Sequence, residues 1–286
     1  MHNTKGVILA GGTGSRLFPL TKTINKHLLP VFDKPLFYYP LSNILLSNIN
    51  EIVIVIDKKD YDAFLIYKKY FKKFNIHIDI LIQNKPLGIL DAVKIVFREY
   101  KYTEKFLFIL GDNFFYGESL PKIIETALNN NKNSIFSYYV NNTKEYGVIE
   151  KNKIIEKPKK TKSNLAVTGM YIYLKSSSAF SQIPDKSFRS EYEITDFNNI
   201  LIKRKLLNNI ELGRGVVWLD TGSPDNLIRA SQFVNMIEER QGLKISCPEE
   251  IALTKNFVNK TKFKSNIQNI PDSFYKKYLE KILKRI

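Results

Sequence analysis

The stretch GVILAGGTGSR, residues 6–16, decides how this chain is to be read. An apolar run, Gly6–Ala10, breaks into a turn that holds Gly11, Gly12 and Gly14. Glycines directly after such a run suit a place where backbone must approach another group closely. Successive N–H groups in a turn of this kind form a concavity that attracts anions. Arg16 follows at once and Lys26 ten residues later, so two cations flank the turn. Two familiar phosphate motifs do not match. The chain has no G-x-x-x-x-G-K-[ST] string, and from Gly12 it runs G-T-G-S-R-L rather than G-x-G-x-x-G. A plain strand-to-helix turn with a surface arginine remains the other reading of the glycines alone.

Beyond it, runs of the same form recur at IVIVID (52–57), IDILIQ (78–83) and FLFILGD (106–112). Helical stretches lie between them, at residues 35–48 and 90–100. Continuous apolar strands separated by helices predict an α/β fold: a doubly wound, mostly parallel sheet covered on both faces. Ligands of such sheets bind at the carboxyl ends of the strands. After about residue 140 the pattern changes to shorter β-prone segments. YGVIEKNKIIEKP (146–158) reads as two strands around a turn at Lys151–Lys153, followed by TGMYIYL (168–174) and GVVWLDTG (215–222). Residues 224–241 read as a helix, with Pro224 at its start, Gly242 after its end, and Leu227, Ala230, Val234 and Ile237 at helical spacing. Residues 271–286 read as an amphipathic basic helix. The expected organisation is one domain over 1–241 with a helical C-terminal extension over 242–286.

Composition narrows the class. Hydrophobic residues make up 44% and charged residues 25% of the 286, the balance of a globular protein. No apolar run approaches the roughly 20 residues of a membrane span. The opening MHNTKGVILAGG lacks the pattern of a secretory signal, and the single cysteine, Cys247, excludes an internal disulfide. Both point to the cytoplasm. The formal charge of +16 comes from scattered lysines, such as Lys58, Lys59, Lys68, Lys69, Lys72 and Lys73. Without any nucleic-acid-binding motif, we expect no nucleic-acid partner.

Two carboxylates stand at predicted strand ends: Asp112 after FLFIL and one glycine, and Asp220 directly after VVWL. A strand-end aspartate alone usually caps a turn. Two at one edge of a sheet could instead hold Mg²⁺ while leaving positions for phosphate oxygens and water. No Ser-His-Asp set is evident, and only three histidines are present.

GVILAGGTGSRLFPLTKTINKHLLPVFDKPLFYYPLS (6–42) resembles the opening signature of the sugar-nucleotide pyrophosphorylases, above all their glucose-1-phosphate thymidylyltransferase branch. LGDNFFYG, EYGVIE, EKP, SNLAVTGMYIY, EITDFN, WLDTGS and EERQGLKISCPEEIA extend the resemblance over nearly the whole chain. The resemblance implies dTTP and glucose 1-phosphate as substrates, Mg²⁺ as cofactor, a homotetramer, and products that feed dTDP-rhamnose biosynthesis. It assigns catalytic roles to Arg16, Lys26 and Lys157. Leu9, Gly11, Gly12, Gly14, Gln83 and Gly88 fall to the nucleotide. Tyr146, Gly147, Glu156, Val167 and Tyr171 fall to the sugar, with Trp218 against its face. Asp112 and Asp220 fall to the metal.

The chain departs from the branch at three places. It has Gly88-Ile-Leu-Asp91-Ala92 where G-L-A-Q-A is common, His27 in place of a glutamine beside Lys26, and Glu118 where a histidine is usual. The first two lie beside the nucleotide. Glu118 bears on a regulatory nucleotide-sugar site that the resemblance places around Gly242–Glu250. An amide such as Gln83 suits thymine and uracil equally. Uridylyl transfer from UTP therefore stays open, as does a nucleotide-sugar-binding regulator without turnover. Intact Arg16, Lys26, Asp112 and Asp220 speak against the regulator.

Overall fold

The apolar runs become the strands of one sheet in a computed structural model that describes residues 3–85, 87–176 and 192–285. The first half of the chain supplies β1 (Thr4–Leu9), β2 (Pro30–Val31), β3 (Lys34–Pro35), α1 (Tyr38–Leu46), β4 (Glu51–Ile56), α2 (Tyr61–Lys72), β5 (His77–Ile82), α3 (Ile89–Glu99), β6 (Lys105–Leu110), β7 (Asn113–Tyr116) and α4 (Leu120–Asn129). The second supplies β8 (Asn133–Tyr139), β9 (Gly147–Glu150), β10 (Lys153–Glu156), β11 (Leu165–Leu174), α5 (Ile194–Lys203), β12 (Leu207–Glu211), β13 (Val217–Asp220) and α6 (Pro224–Gln241). Helices α7 (Pro248–Thr254), α8 (Lys260–Gln268) and α9 (Phe274–Arg285) follow.

The sheet runs β10-β9-β11-β6-β1-β4-β5, and β8 joins β11 and carries β12. Strands β6, β1, β4 and β5 are parallel, whereas β11 returns antiparallel to β6. The parallel part is what positions the site. Leu9 pairs with Val55 on one side and Leu110 on the other. The chain therefore leaves β1, β4, β5 and β6 along one edge, where the glycine turn, Asp57, Gln83 and Asp112 follow.

Alternate residues of each strand feed opposite faces. Ile8, Ile54 and Ile109 pack under α1, α2 and α4, while Val7, Leu9, Val53 and Phe108 pack under α3 and α5. This accounts for the unbroken apolar runs: both faces are core. A Cβ on Gly6 would collide with Ile44 of α1, so glycine there lets the helix sit close on β1.

Local signals hold with two refinements. The hairpin β9–β10 turns at Lys151 and Asn152, both at positive φ, as a two-residue type I′ turn requires. The helix expected over 35–48 begins only at Tyr38, because Pro35 keeps its neighbour extended and Lys34–Pro35 pairs with β2. Helix α6 starts on a Ser223 side-chain cap and ends on Gly242 at φ 63°. The C-terminal helices are not a loose tail. Cys247, Phe263 and Leu279 belong to the same core as Ile8, and buried Glu249 accepts hydrogen bonds from Tyr70 (2.8 Å) and Tyr275 (2.6 Å).

Candidate functional site

The glycine turn opens on a cavity of about 620 Å³ at the carboxyl edge of the parallel strands. Gly12 (φ 101°) and Gly14 (φ 61°) hold conformations that L side chains rarely adopt, and Gly14 starts the single helical turn Ser15–Leu17 that carries Arg16. Arg16, Lys26, Asp112, Tyr146, Gly147, Glu156, Lys157, Val167, Tyr171, Trp218 and Asp220 line the same cavity with Gly11, Gly12 and Gly14. An adjoining recess of about 180 Å³ is lined by Leu9, Gly11, Gly12, Val55, Gln83, Gly88, Ile89 and Ala92. Every residue assigned to catalysis, nucleotide, sugar or metal from the sequence lies in one of these two spaces, and Gly11 and Gly12 border both.

The two aspartates are joined by a ladder that the sequence does not announce. Strand β13 pairs antiparallel with β7, setting Asp220 opposite Asn113. Thr221 then donates its N–H (2.9 Å) and its hydroxyl (2.6 Å) to the Asp112 carbonyl. Lys26 donates to Asp112 Oδ2 at 2.5 Å, and Asn113 Nδ2 donates to Oδ1 at 3.2 Å. Burial alone would raise the Asp112 pKa, but the Lys26 ammonium holds it well below the usual carboxylate range. Asp220 moves the opposite way, raised by burial and then by the Asp112 charge, although the Gly222 N–H (3.0 Å) opposes the shift. A buried carboxylate beside a half-buried one whose charge it disfavours suits a shared cation. Among the described residues no group of three or more His, Cys, Asp or Glu could form a protein cage. A two-carboxylate site fits Mg²⁺, which takes its other ligands from phosphates and water.

Asn113 ties this floor to the wall. Its Oδ1 accepts from the Trp218 indole N–H (2.7 Å) and from the Gly169 N–H (2.9 Å). A Cβ on Gly169 would come within 2.5 Å of that oxygen, so only glycine fits. Trp218 is mostly core, as its burial shows, yet its ring lies 5.0 Å from that of Tyr146 at the cavity wall. Next to Tyr146, Gly147 pairs with Glu156, whose Oε2 accepts from Thr195 (2.6 Å), and Gly147 leaves just enough room for both. Lys157 follows at φ 44°, an uncommon conformation for a lysine, with its N–H bonded to the Tyr146 carbonyl at 3.0 Å. Arg16 meets Glu145 at 3.3 Å across the mouth.

In the recess, Gln83 is buried and donates to the Gly88 carbonyl (3.2 Å) and to Asp91 (2.9 Å). His27 lies inside the protein, not in the cleft. Asn25 Oδ1 holds its Nδ1 at 2.8 Å, and burial joined by the Lys26 charge lowers its pKa to about 3. Its ring lies where a side chain on Gly111 would go, so it packs beneath the Lys26–Asp112 pair. A separate cavity of about 390 Å³ contains Glu118 together with Lys244–Cys247 and Glu250.

Sequence reasoning passed over Asn113, Glu145 and Thr195. Asn113 stood inside the quoted LGDNFFYG and Thr195 inside EITDFN, but their roles depend on partners 39 to 105 positions away.

Known proteins resemble the chain over most of its length. A family model described as nucleotidyl transferase matches residues 5–236. A glucose-1-phosphate thymidylyltransferase of Mycolicibacterium smegmatis is 38% identical, covering 98% of this chain and 99% of that protein. A crystal structure assigned to a glucose-1-phosphate thymidylyltransferase of Bacillus anthracis, in complex with a sucrose, superposes with a TM-score of 0.72 at 34% identity, over 80% of this chain and 94% of that one. A UDP-glucose pyrophosphorylase complexed with UDP-glucose shares the fold, with a TM-score of 0.70 at 24% identity, over 83% and 99% of the two chains.

Proposed function

This chain belongs to the nucleotidyl transferase family, on its glucose-1-phosphate thymidylyltransferase branch, and from that premise we propose that it joins dTTP to glucose 1-phosphate, giving dTDP-glucose and pyrophosphate. The observation that carries the reading is the meeting of the glycine turn, Arg16, Lys26 and the Asp112–Asp220 pair in one cavity.

A phosphate oxygen of the sugar phosphate attacks the α-phosphorus of the nucleotide. That P–O bond forms as the bond to the β-phosphate breaks, and pyrophosphate departs in line with the electron pair. Such a displacement needs positioning and charge neutralisation more than covalent help. The glycine-turn N–H groups and Arg16 hold the triphosphate and steady the leaving pyrophosphate. Lys26 acts beside them, and Lys157 holds the attacking phosphate. Glu156, Tyr146, Gly147, Val167 and Tyr171 surround the sugar, and Leu9, Gln83 and Gly88 surround the base. Asp112 and Asp220 would hold Mg²⁺, which supplies neutralising charge to the phosphates when bound.

The wider setting belongs to the same reading: a cytoplasmic homotetramer whose product supplies dTDP-rhamnose biosynthesis. Consistent with it, no described helix is long and apolar enough to cross a membrane. A panel of nucleoside triphosphates with glucose 1-phosphate and Mg²⁺, read by pyrophosphate release, tests the central claim. Release is expected with dTTP, and silence with both dTTP and UTP would overturn it.

A further inference from the structure

The base recess and the sugar wall come from different parts of the chain, and Tyr192 joins them. Gln83 and Gly88 line the recess, where Gln83 donates to the Gly88 carbonyl at 3.2 Å. Gly88, at φ 96°, stands directly before α3. On either side of it the backbone is bonded to Tyr192. The Leu87 carbonyl accepts from the Tyr192 N–H at 2.8 Å, and the Leu90 N–H donates to the Tyr192 carbonyl at 3.3 Å. One turn beyond Leu90 on α3, the Lys94 ammonium stands 3.5 Å from the centroid of the Tyr192 ring. A cation at that range is drawn to the electron-rich ring face, more strongly where water is partly excluded. Both side chains are half-buried.

Tyr192 leads directly into Glu193, Ile194 and Thr195, which all line the larger cavity. Thr195 in turn donates to Glu156 at 2.6 Å. A base that engages Gln83 and Gly88 therefore acts on a loop whose backbone is pinned to the start of α5. We propose that the Lys94–Tyr192 pair is a positioning contact that couples the two substrates: it fastens the base loop to the sugar wall, so that a bound nucleotide raises the affinity for glucose 1-phosphate. The proposal rests on the recess and the cavity being the base and sugar sites of the transferase. Neither Lys94 nor Tyr192 lines either space, so both act through their neighbours. Such coupling is reciprocal, and glucose 1-phosphate must raise the affinity for nucleotide by the same factor.

Deoxythymidine monophosphate, dTMP, has no pyrophosphate to lose, so with glucose 1-phosphate it forms a ternary complex that cannot react. The test is the calorimetric Kd of glucose 1-phosphate with and without saturating dTMP, at constant Mg²⁺, for the wild type, Lys94→Met, Tyr192→Leu and Tyr192→Phe. In the wild type dTMP should lower that Kd by about 5-fold or more. Lys94→Met keeps the aliphatic stem and loses the charge; it should bring the factor below about 2 while each ligand alone binds as in wild type. Tyr192→Leu should do the same and serves if Lys94→Met folds poorly. Tyr192→Phe keeps the ring and should keep the coupling. A wild type without coupling, or folded Lys94→Met and Tyr192→Leu variants with the wild-type factor, overturns the proposal. Weaker binding of each ligand alone with the factor unchanged, the mark of a merely structural contact, overturns it as well. A wild type inactive with both dTTP and UTP would instead remove the transferase reading beneath it.

Discussion

Lys26 and Asp112, 86 positions apart, form an ion pair of 2.5 Å on the floor of the cleft, where each is mostly buried. The pair does two things at once. It keeps Asp112 ionised beside Asp220, and it fixes the ammonium next to the glycine turn. Lys26→Met should therefore fail twice, losing about 10²–10³ in turnover and about 3–5 kcal/mol of stability through the stranded carboxylate. Combining it with Asp112→Asn should recover stability without activity, as read by urea melts beside pyrophosphate release. Equal destabilisation of the single and double variants would refute the pairing.

Arg16 is the contrasting cation. It is exposed, and its contact with Glu145 spans the open mouth, so its removal should cost less than about 1 kcal/mol of stability. Arg16→Ala should nonetheless lose about 10²–10³ in rate. Near-normal turnover would remove the residue from the triphosphate.

Asp220 carries its charge at a cost to the fold. Its folded pKa is raised, so the folded state prefers it protonated, and stability falls as pH rises from the unfolded value of 3.8 through the folded one. Asp220→Asn removes that penalty and keeps an acceptor for the Gly222 N–H. We expect a higher melting temperature near neutral pH together with a collapse of Mg²⁺-dependent activity. Full activity would show that the carboxylate holds no metal.

His27 gives the fold an acid limit. Its pKa drops from 6.5 to about 3 on folding, so the unfolded chain takes up a proton that the folded chain refuses. Stability from this group is complete above about pH 6.5 and is lost at about 1.4 kcal/mol per unit as pH falls toward 3. His27→Gln should flatten the fall in melting temperature between about pH 7 and about pH 4.5. Parallel pH profiles for variant and wild type would show that His27 is not the source.

Trp218 offers a direct view of the sugar side. It is the only tryptophan, and its neighbour Tyr146 lines the same cavity. Glucose 1-phosphate should change its fluorescence saturably, while an unrelated hexose without phosphate should not. No change at any concentration would place the sugar elsewhere.

The sequence by itself determined the parallel strands β1, β4, β5 and β6, the glycine turn and which residue types could meet phosphate and metal; β7, β8 and β12 gave no such run. Those features are local: strand periodicity, glycine's backbone freedom and the position of a residue just after an apolar run are all set within a few positions. Helix α6 likewise carried its own proline start and glycine stop. Only the tertiary structure decided how the candidates meet. The β7–β13 ladder brings Asp220 to Asp112, and Asn113 joins Trp218 and Gly169 in one hydrogen-bond set. Asp91, in the sequence a bare replacement of an amide, became one of two acceptors for the buried Gln83 amide. Hydrogen bonds and charge coupling act over a few ångströms of space. The residues they link here come from strands, loops and helix starts that only the folded sheet brings to one edge.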